Sequence, residues 1–216
     1  MHNITLICTK HNEVGKCNSR ELLNLIEVNK PTVIFEELSS TTHRECYEAE
    51  RFTIESAAIK MYLKDYSAKH IPVVGTEIGE AVIEKNEINK THNGCNRLLG
   101  RLYSLAYYYG FDYLNSKYVH QLFDVLARLE QDIMAYSKDE IITNIYKRAY
   151  ENIDVYENDI IENVYNYSAS NKYKNALMFI GSAHRKSIIE KIKEYNEKQD
   201  IKLNWTFYDR GHLLPS

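Results

Sequence analysis

ITLICTKHNEVGKCNSRELLNLIEVNKPTVIFEE, residues 4–37, decides the fold. An apolar run over 4–9 is followed by a helical pattern from about Asn18 to Asn29, then by a second apolar run over 32–37. Leu22, Leu23, Leu25 and Ile26 form the apolar side of the helix. Asn18 with Glu21 three residues on is a near-capping box, and Lys30-Pro31 stops the helix. Strand, helix and strand in this order predict a βαβ unit and a parallel sheet. Strands of such a sheet are buried on both faces and read as continuous apolar runs, as these do.

The same grammar recurs outward. Ser39 or Ser40 can cap a long helix running to about Ala68, and IPVVGTE (71–77) reads as a third strand. ALMFIGSAH (176–184) and LNWTFYDR (203–210) supply a fourth and a fifth, separated by a helix from about His184 to Glu197. Between Glu84 and Asn175 the alternation stops. Helical patterns fill roughly 95–109, 117–135, 138–152 and 154–167, with breaks at Gly110-Phe111-Asp112 and Ser137. The expected architecture is α/β: a mainly parallel sheet flanked by helices, with a helical insert between strands three and four. Residues 1–83 and 176–216 form its core, and 84–175 form the insert, a lid over the strand ends.

The bulk properties narrow the class. At 216 residues the chain is long enough for a full core, and 44% hydrophobic with 26% charged residues is ordinary for a soluble domain. A net charge of −3 gives no electrostatic reason to expect nucleic acid or an anionic membrane. No basic stretch precedes a long apolar run at the amino terminus, and no run approaches the roughly 20 apolar residues that span a bilayer. Cys8, Cys17, Cys46 and Cys95 show no paired spacing, which fits reduced thiols in the cytoplasm. Thirteen of the 18 tyrosines lie between residues 101 and 175, so some are candidates to line a groove in the insert.

In an open parallel sheet, ligands bind in the crevice at the carboxyl ends of the strands. Every apolar run here ends on ionisable residues. Ile7-Cys8-Thr9-Lys10-His11 and Ile180-Gly181-Ser182-Ala183-His184 each set a histidine four residues beyond a strand isoleucine. Imidazole is the side chain suited to proton transfer near neutral pH and to metal ligation. Glu36 and Glu37 close the second strand, and alternation sends one carboxylate to each face. A carboxylate beside two histidines can orient an imidazole, act as a base, or complete a metal site. Glu77, Arg185 and Arg210 are candidate substrate-binding groups, Arg210 within the polar run Asp209-Arg210-Gly211-His212. Cys8 with His11 is a conceivable nucleophile pair, but a thiol inside an apolar strand reads first as core.

Three stretches together resemble the TraB/Tiki superfamily, which takes in erythromycin-esterase-like and ChaN-like proteins. They are CTKHNEVGKCNSRELLNLIEVNKPTVIFEEL, ERFTIESAAIKMYLKDYSAKHIPVVGTE and FIGSAHRKSIIEKI. They look like the family's first Gly-x-x-His with its following strand, its Glu/Ala helix before Ile-Pro-Val, and its second Gly-x-x-His. Cys8 stands where the family has glycine. The resemblance implies a hydrolase acting on a peptide or ester, with His11, Glu36 or Glu37, and His184 at the active-site positions. In a metal-dependent version, His11, Glu36 and His184 would hold Mn, Co or Zn. On this reading His11 activates water, His184 serves as acid, as second metal ligand or as polariser of the substrate carbonyl, and removal of either leaves the fold intact. The alternative class is a protein that binds a small molecule or haem without turnover, since Tyr and His can both ligate haem. A third is a degenerate member that acts by protein interaction.

Overall fold

The computed structural model describes residues 2–49 and 52–209. It is an α/β fold on a five-stranded, all-parallel sheet. The strands are β1 (His2–Thr9), β2 (Val33–Ser39), β3 (Lys69–Val74), β4 (Asn175–Gly181) and β5 (Leu203–Phe207), in the order β3-β2-β4-β1-β5. The helices are α1 (Ser19–Asn29), α2 (Ser40–Glu48), α3 (Ile54–Tyr62), α4 (Glu80–Thr91), α5 (Asn93–Leu114), α6 (Lys117–Tyr136), α7 (Glu140–Ser170) and α8 (Arg185–Lys198).

Each face of the sheet has its own core, set by the two-residue alternation of the strands. On one face Ile7, Ile34, Leu177 and Phe179 pack with residues of α1, α3, α5 and α6. On the other, Leu6, Cys8, Phe35, Met178 and Ile180 pack with α7 and α8. The segment between β3 and β4 therefore contributes to both layers: Leu102, Phe111 and Leu122 to the first core, Ile160 and Val164 to the second.

Local chemistry explains most element ends. Asn18 caps α1 by accepting from the Glu21 N–H at 3.0 Å, and Lys30 ends it in the left-handed region at φ 45°. The sequence pattern predicts one long helix from residue 39 or 40 to 68, but there are two, α2 and α3. Thr53 forms a capping box with Ser56 and starts α3 afresh, a signal hidden inside a helical pattern. Conversely, the expected helices 138–152 and 154–167 are one, α7, because nothing near residue 153 breaks the backbone hydrogen bonding.

The break expected at Gly110 is real. Gly110 has φ 66° and ψ −147°, a conformation open essentially only to glycine. A Cβ there would stand 3.1 Å from the Lys16 carbonyl oxygen. Gly110→Ala should therefore destabilise the protein by about 1–3 kcal/mol in equilibrium unfolding. Unchanged stability would mean that the kink relaxes without loss.

Candidate functional site

The central strands β4 and β1 create the crevice. After β1 the chain turns to α1 on one face, and after β4 it turns to α8 on the other. Adjacent strands whose connections leave to opposite faces open a gap at their carboxyl ends, the usual ligand position in such sheets. His11 follows β1, and His184 ends a short 3₁₀ turn, Ser182–His184, after β4. The two histidine motifs are not in register. Thr9 pairs with Gly181 and Ile7 with Phe179, so the echo between Ile7 and Ile180 is displaced by one residue. A one-residue displacement reverses the face. His11 accordingly meets a carboxylate from α3, and His184 meets one from α7.

His184 is held on both sides. Its Nδ1 lies 2.8 Å from Glu157 Oε1, and its Nε2 lies 3.6 Å from Glu37 Oε1. The Ser187 hydroxyl donates to the other Glu157 oxygen. Glu37 is fixed by the Tyr156 hydroxyl at 2.9 Å and the Gly181 N–H at 2.5 Å. Burial is the largest single influence on His184 and opposes its charge. The hydrogen bond with Glu157 and the charges of Glu37 and Glu157 outweigh it, so His184 keeps its proton above the ordinary histidine range.

His11 forms the second dyad. Its Nδ1 is 3.5 Å from Glu55 Oε1, which also accepts from the Thr9 hydroxyl at 2.5 Å. The α3 amino terminus is docked on this histidine, with the Ile54 N–H donating to the His11 carbonyl at 3.2 Å. Glu55 is the main cause of a His11 pKa pushed up to about 9, against the cost of burial. The side chain is 53% exposed, and the water that reaches it weakens the pairing.

Both imidazoles open on the same place. A methyl group on Gly181 would sit 3.5 Å from Glu37 Oε2 and from His184 Cδ2, and 4.0 Å from His11 Nε2. Outward from Gly181 runs a cleft of about 710 Å³, bounded by the ends of β1 and β4 and by α4, α5, α6, α7 and α8. Its far wall carries a buried polar network. Glu130 accepts from Lys85 Nζ at 3.0 Å, from Asn89 at 2.6 Å and from the Tyr150 hydroxyl at 2.5 Å. Of the tyrosines, Tyr103 and Tyr150 line the cleft.

Several expected site residues lie elsewhere. Glu36 and Glu37 do split between the two faces, but Glu36 is the one turned away from His184. Its Oε2 accepts from the Tyr47 hydroxyl at 2.8 Å, and its Oε1 faces His43 and His70. It reaches the His11 side only through a small adjoining cavity of about 10 Å³, shared with Glu37 and Glu55. His11, Glu36 and His184 thus do not converge as metal ligands, and no step is assigned to a metal there. Glu77 is exposed and does not border the cleft. Arg185 is 3% exposed and faces inward, with Nη2 donating to the Tyr208 carbonyl at 3.1 Å and Nη1 lying 3.9 Å from Cys8 Sγ. Arg210, with Gly211 and His212, lies outside the described residues. Burial pushes the Cys8 thiol up to about 12, which removes it as a nucleophile.

The orienting groups were the part that sequence reading missed. Glu55 and Glu157 are mid-sequence acids within helical patterns, and nothing in their local context separates them from surface glutamates. Their burial, 6% and 2% exposed, is what marks them.

Compared with known proteins, the chain matches no family model, no curated protein and no solved structure. The likeness to the TraB/Tiki superfamily therefore rests on the short motifs alone. Among the described residues, no helix is long and apolar enough to cross a membrane.

Proposed function

We propose that this chain is a hydrolase of an ester or peptide substrate, working by acid–base chemistry between His184 and His11. One observation carries the reading: two imidazoles from adjacent strand ends, each held at Nδ1 by a buried glutamate, open on one cleft. A histidine backed by a carboxylate is oriented, fixed in tautomer and ready to exchange a proton at its other nitrogen. The short motifs shared with the TraB/Tiki superfamily point the same way.

The roles differ from those first expected. A His11 that ionises at about 9 keeps its proton at neutral pH, which suits an acid and not a base. In the proposed reaction, His184 Nε2 takes a proton from water as the water oxygen bonds to the substrate carbonyl carbon. The carbonyl electron pair moves to oxygen, where the His11 imidazolium stabilises it. Collapse re-forms the carbonyl and expels the alcohol or amine, which receives the proton held by His184. Glu157 orients the base, and Tyr156 with the Gly181 N–H holds Glu37 beside it.

The pH profile of hydrolysis of short p-nitrophenyl esters and a fluorogenic peptide tests this. His184 must lose its proton to act, so the rate should rise through a limb above the ordinary histidine value of about 6.5. His11 must keep its proton, so the rate should fall through a second limb on the alkaline side, at or below about 9 because water screens the Glu55 pairing. A rate no greater than the uncatalysed one on every substrate, or a profile that rises without an alkaline limb, would refute the assignment.

A further inference from the structure

We propose that Glu36, His43 and His70 form a binding site for one first-row divalent cation of the zinc type, separate from the cleft. The site lies at the β2–β3 end of the sheet. His70 faces the same side as Ile34 and Glu36, opposite Ile34 in the β2–β3 register, and His43 projects from α2. His43 Nε2 and His70 Nδ1 are 2.8 Å apart, and Glu36 Oε1 is 3.5 Å and 3.3 Å from them respectively. A tetrahedral ion with ligand bonds of about 2.0–2.1 Å needs donor separations of roughly 3.3 Å. Opening the two rings slightly would meet that geometry. Among the described residues, no other group of three His, Cys, Asp or Glu side chains brings its donor atoms this close.

The second observation is a buried polar atom that accepts no hydrogen bond although two imidazole nitrogens face it. Glu36 is 1% exposed, and its Oε1 makes no hydrogen bond. The pair His43 Nε2 and His70 Nδ1 can share a single proton, which serves those two atoms and leaves the carboxylate oxygen unserved. A buried acceptor in that state is costly. One cation satisfies all three lone pairs together. It requires both rings neutral, with protons on His43 Nδ1 and His70 Nε2.

The surroundings are those of a prepared site. The Tyr47 hydroxyl holds the other Glu36 oxygen at 2.8 Å and thereby aims Oε1. Tyr47 lies one helical turn beyond His43, and its ring packs on His43 and His70 at centroid distances of 4.6 Å and 4.2 Å. His43 and His70 are 19% and 24% exposed, which leaves an entry path for an ion. Two imidazoles and one carboxylate favour zinc, cobalt or nickel over calcium and magnesium, which take oxygen ligands. Three protein ligands leave a fourth position for solvent, the pattern of an open zinc site.

The inference does not rest on the hydrolase reading, and its test reads binding alone. The tag-free full chain is stripped with chelator, then titrated with Zn²⁺ by calorimetry and with Co²⁺ by visible absorption. One equivalent should bind, and the cobalt adduct should show four-coordinate d–d bands. His70→Ala and Glu36→Gln should lose stoichiometric binding, and Tyr47→Phe should weaken it by roughly 10–100-fold. His184→Asn should bind as the parent does. Glu36→Gln keeps the shape of the buried side chain and serves if His70→Ala fails to fold. No stoichiometric binding by the parent, undiminished binding by folded His70→Ala or Glu36→Gln, or loss of binding in His184→Asn would overturn the proposal.

Discussion

His184→Asn is expected to cut hydrolysis by roughly 10²–10⁴-fold while leaving the fold in place. Asparagine can still offer an N–H to Glu157, the partner that His184 holds at 2.8 Å, but it cannot carry a proton. Alanine is the wrong probe at this position. The side chain is 14% exposed and lies between Glu37 and Glu157, themselves 7% and 2% exposed. Alanine leaves two buried carboxylates with neither a cation nor an N–H donor between them, and breaking a buried pair without replacement costs about 3–5 kcal/mol, whereas asparagine keeps a donor for Glu157. Loss of stability in His184→Ala would thus not separate a structural histidine from a catalytic one, contrary to the simple expectation that either histidine can be removed freely. The measurement is kcat on a short p-nitrophenyl ester, with the thermal midpoint recorded alongside. A folded His184→Asn protein with parental kcat would end the acid–base assignment.

What could be read from the chain follows from which forces are local. All five strands were legible: the inner β1, β2 and β4 because a strand buried on both faces must be a continuous apolar run, and the partly exposed edge strands β3 and β5 because short apolar runs follow a helical pattern there. The strand-end position of His11 and His184 was legible for the same reason. Helix boundaries were less so. Thr53 restarts a helix and residue 153 fails to stop one, and both depend on capping and hydrogen bonding that a 3.6-residue period does not encode. The split of Glu36 from Glu37 followed from alternation, but which of them joins His184 did not. It depends on the β2–β4 register, in which Phe35 pairs with Met178 on the α7 and α8 face, so that Glu37, two residues on, joins that face. The second line of side chains was invisible. Glu55, Glu157, His43 and His70 come from α3, α7, α2 and β3, and only the folded sheet brings them to their partners.

Asn115→Ala should destabilise the protein by roughly 2–5 kcal/mol. Beyond Leu6, paired with Phe207, β5 gives β1 no further partner residue. Two residues on, Asn115 stands in for the missing strand. Its Oδ1 accepts from the Cys8 N–H at 2.7 Å, and its Nδ2 donates to the Cys8 carbonyl at 2.9 Å and the Phe111 carbonyl at 2.8 Å. Asn115 is fully buried, so no water replaces the amide when it is removed. A buried N–H and a buried C=O are then left unpaired, at roughly 1–3 kcal/mol each. At about 2–4 °C per kcal/mol for a chain of this size, Tm should fall by at least about 4 °C. Asn115→Asp sharpens the test. A protonated aspartic acid can still accept from the Cys8 N–H and donate to one carbonyl, whereas the carboxylate faces two carbonyl oxygens with nothing to give them. Burial and those dipoles raise the folded pKa of the new carboxyl above the unfolded value of about 3.9, so the Asn115→Asp variant should lose stability relative to the parent as pH rises through that folded pKa. Urea unfolding across the acid range measures both. Equal stability of Asn115→Ala and the parent would show that the amide is not what joins α5 to the strand that carries His11.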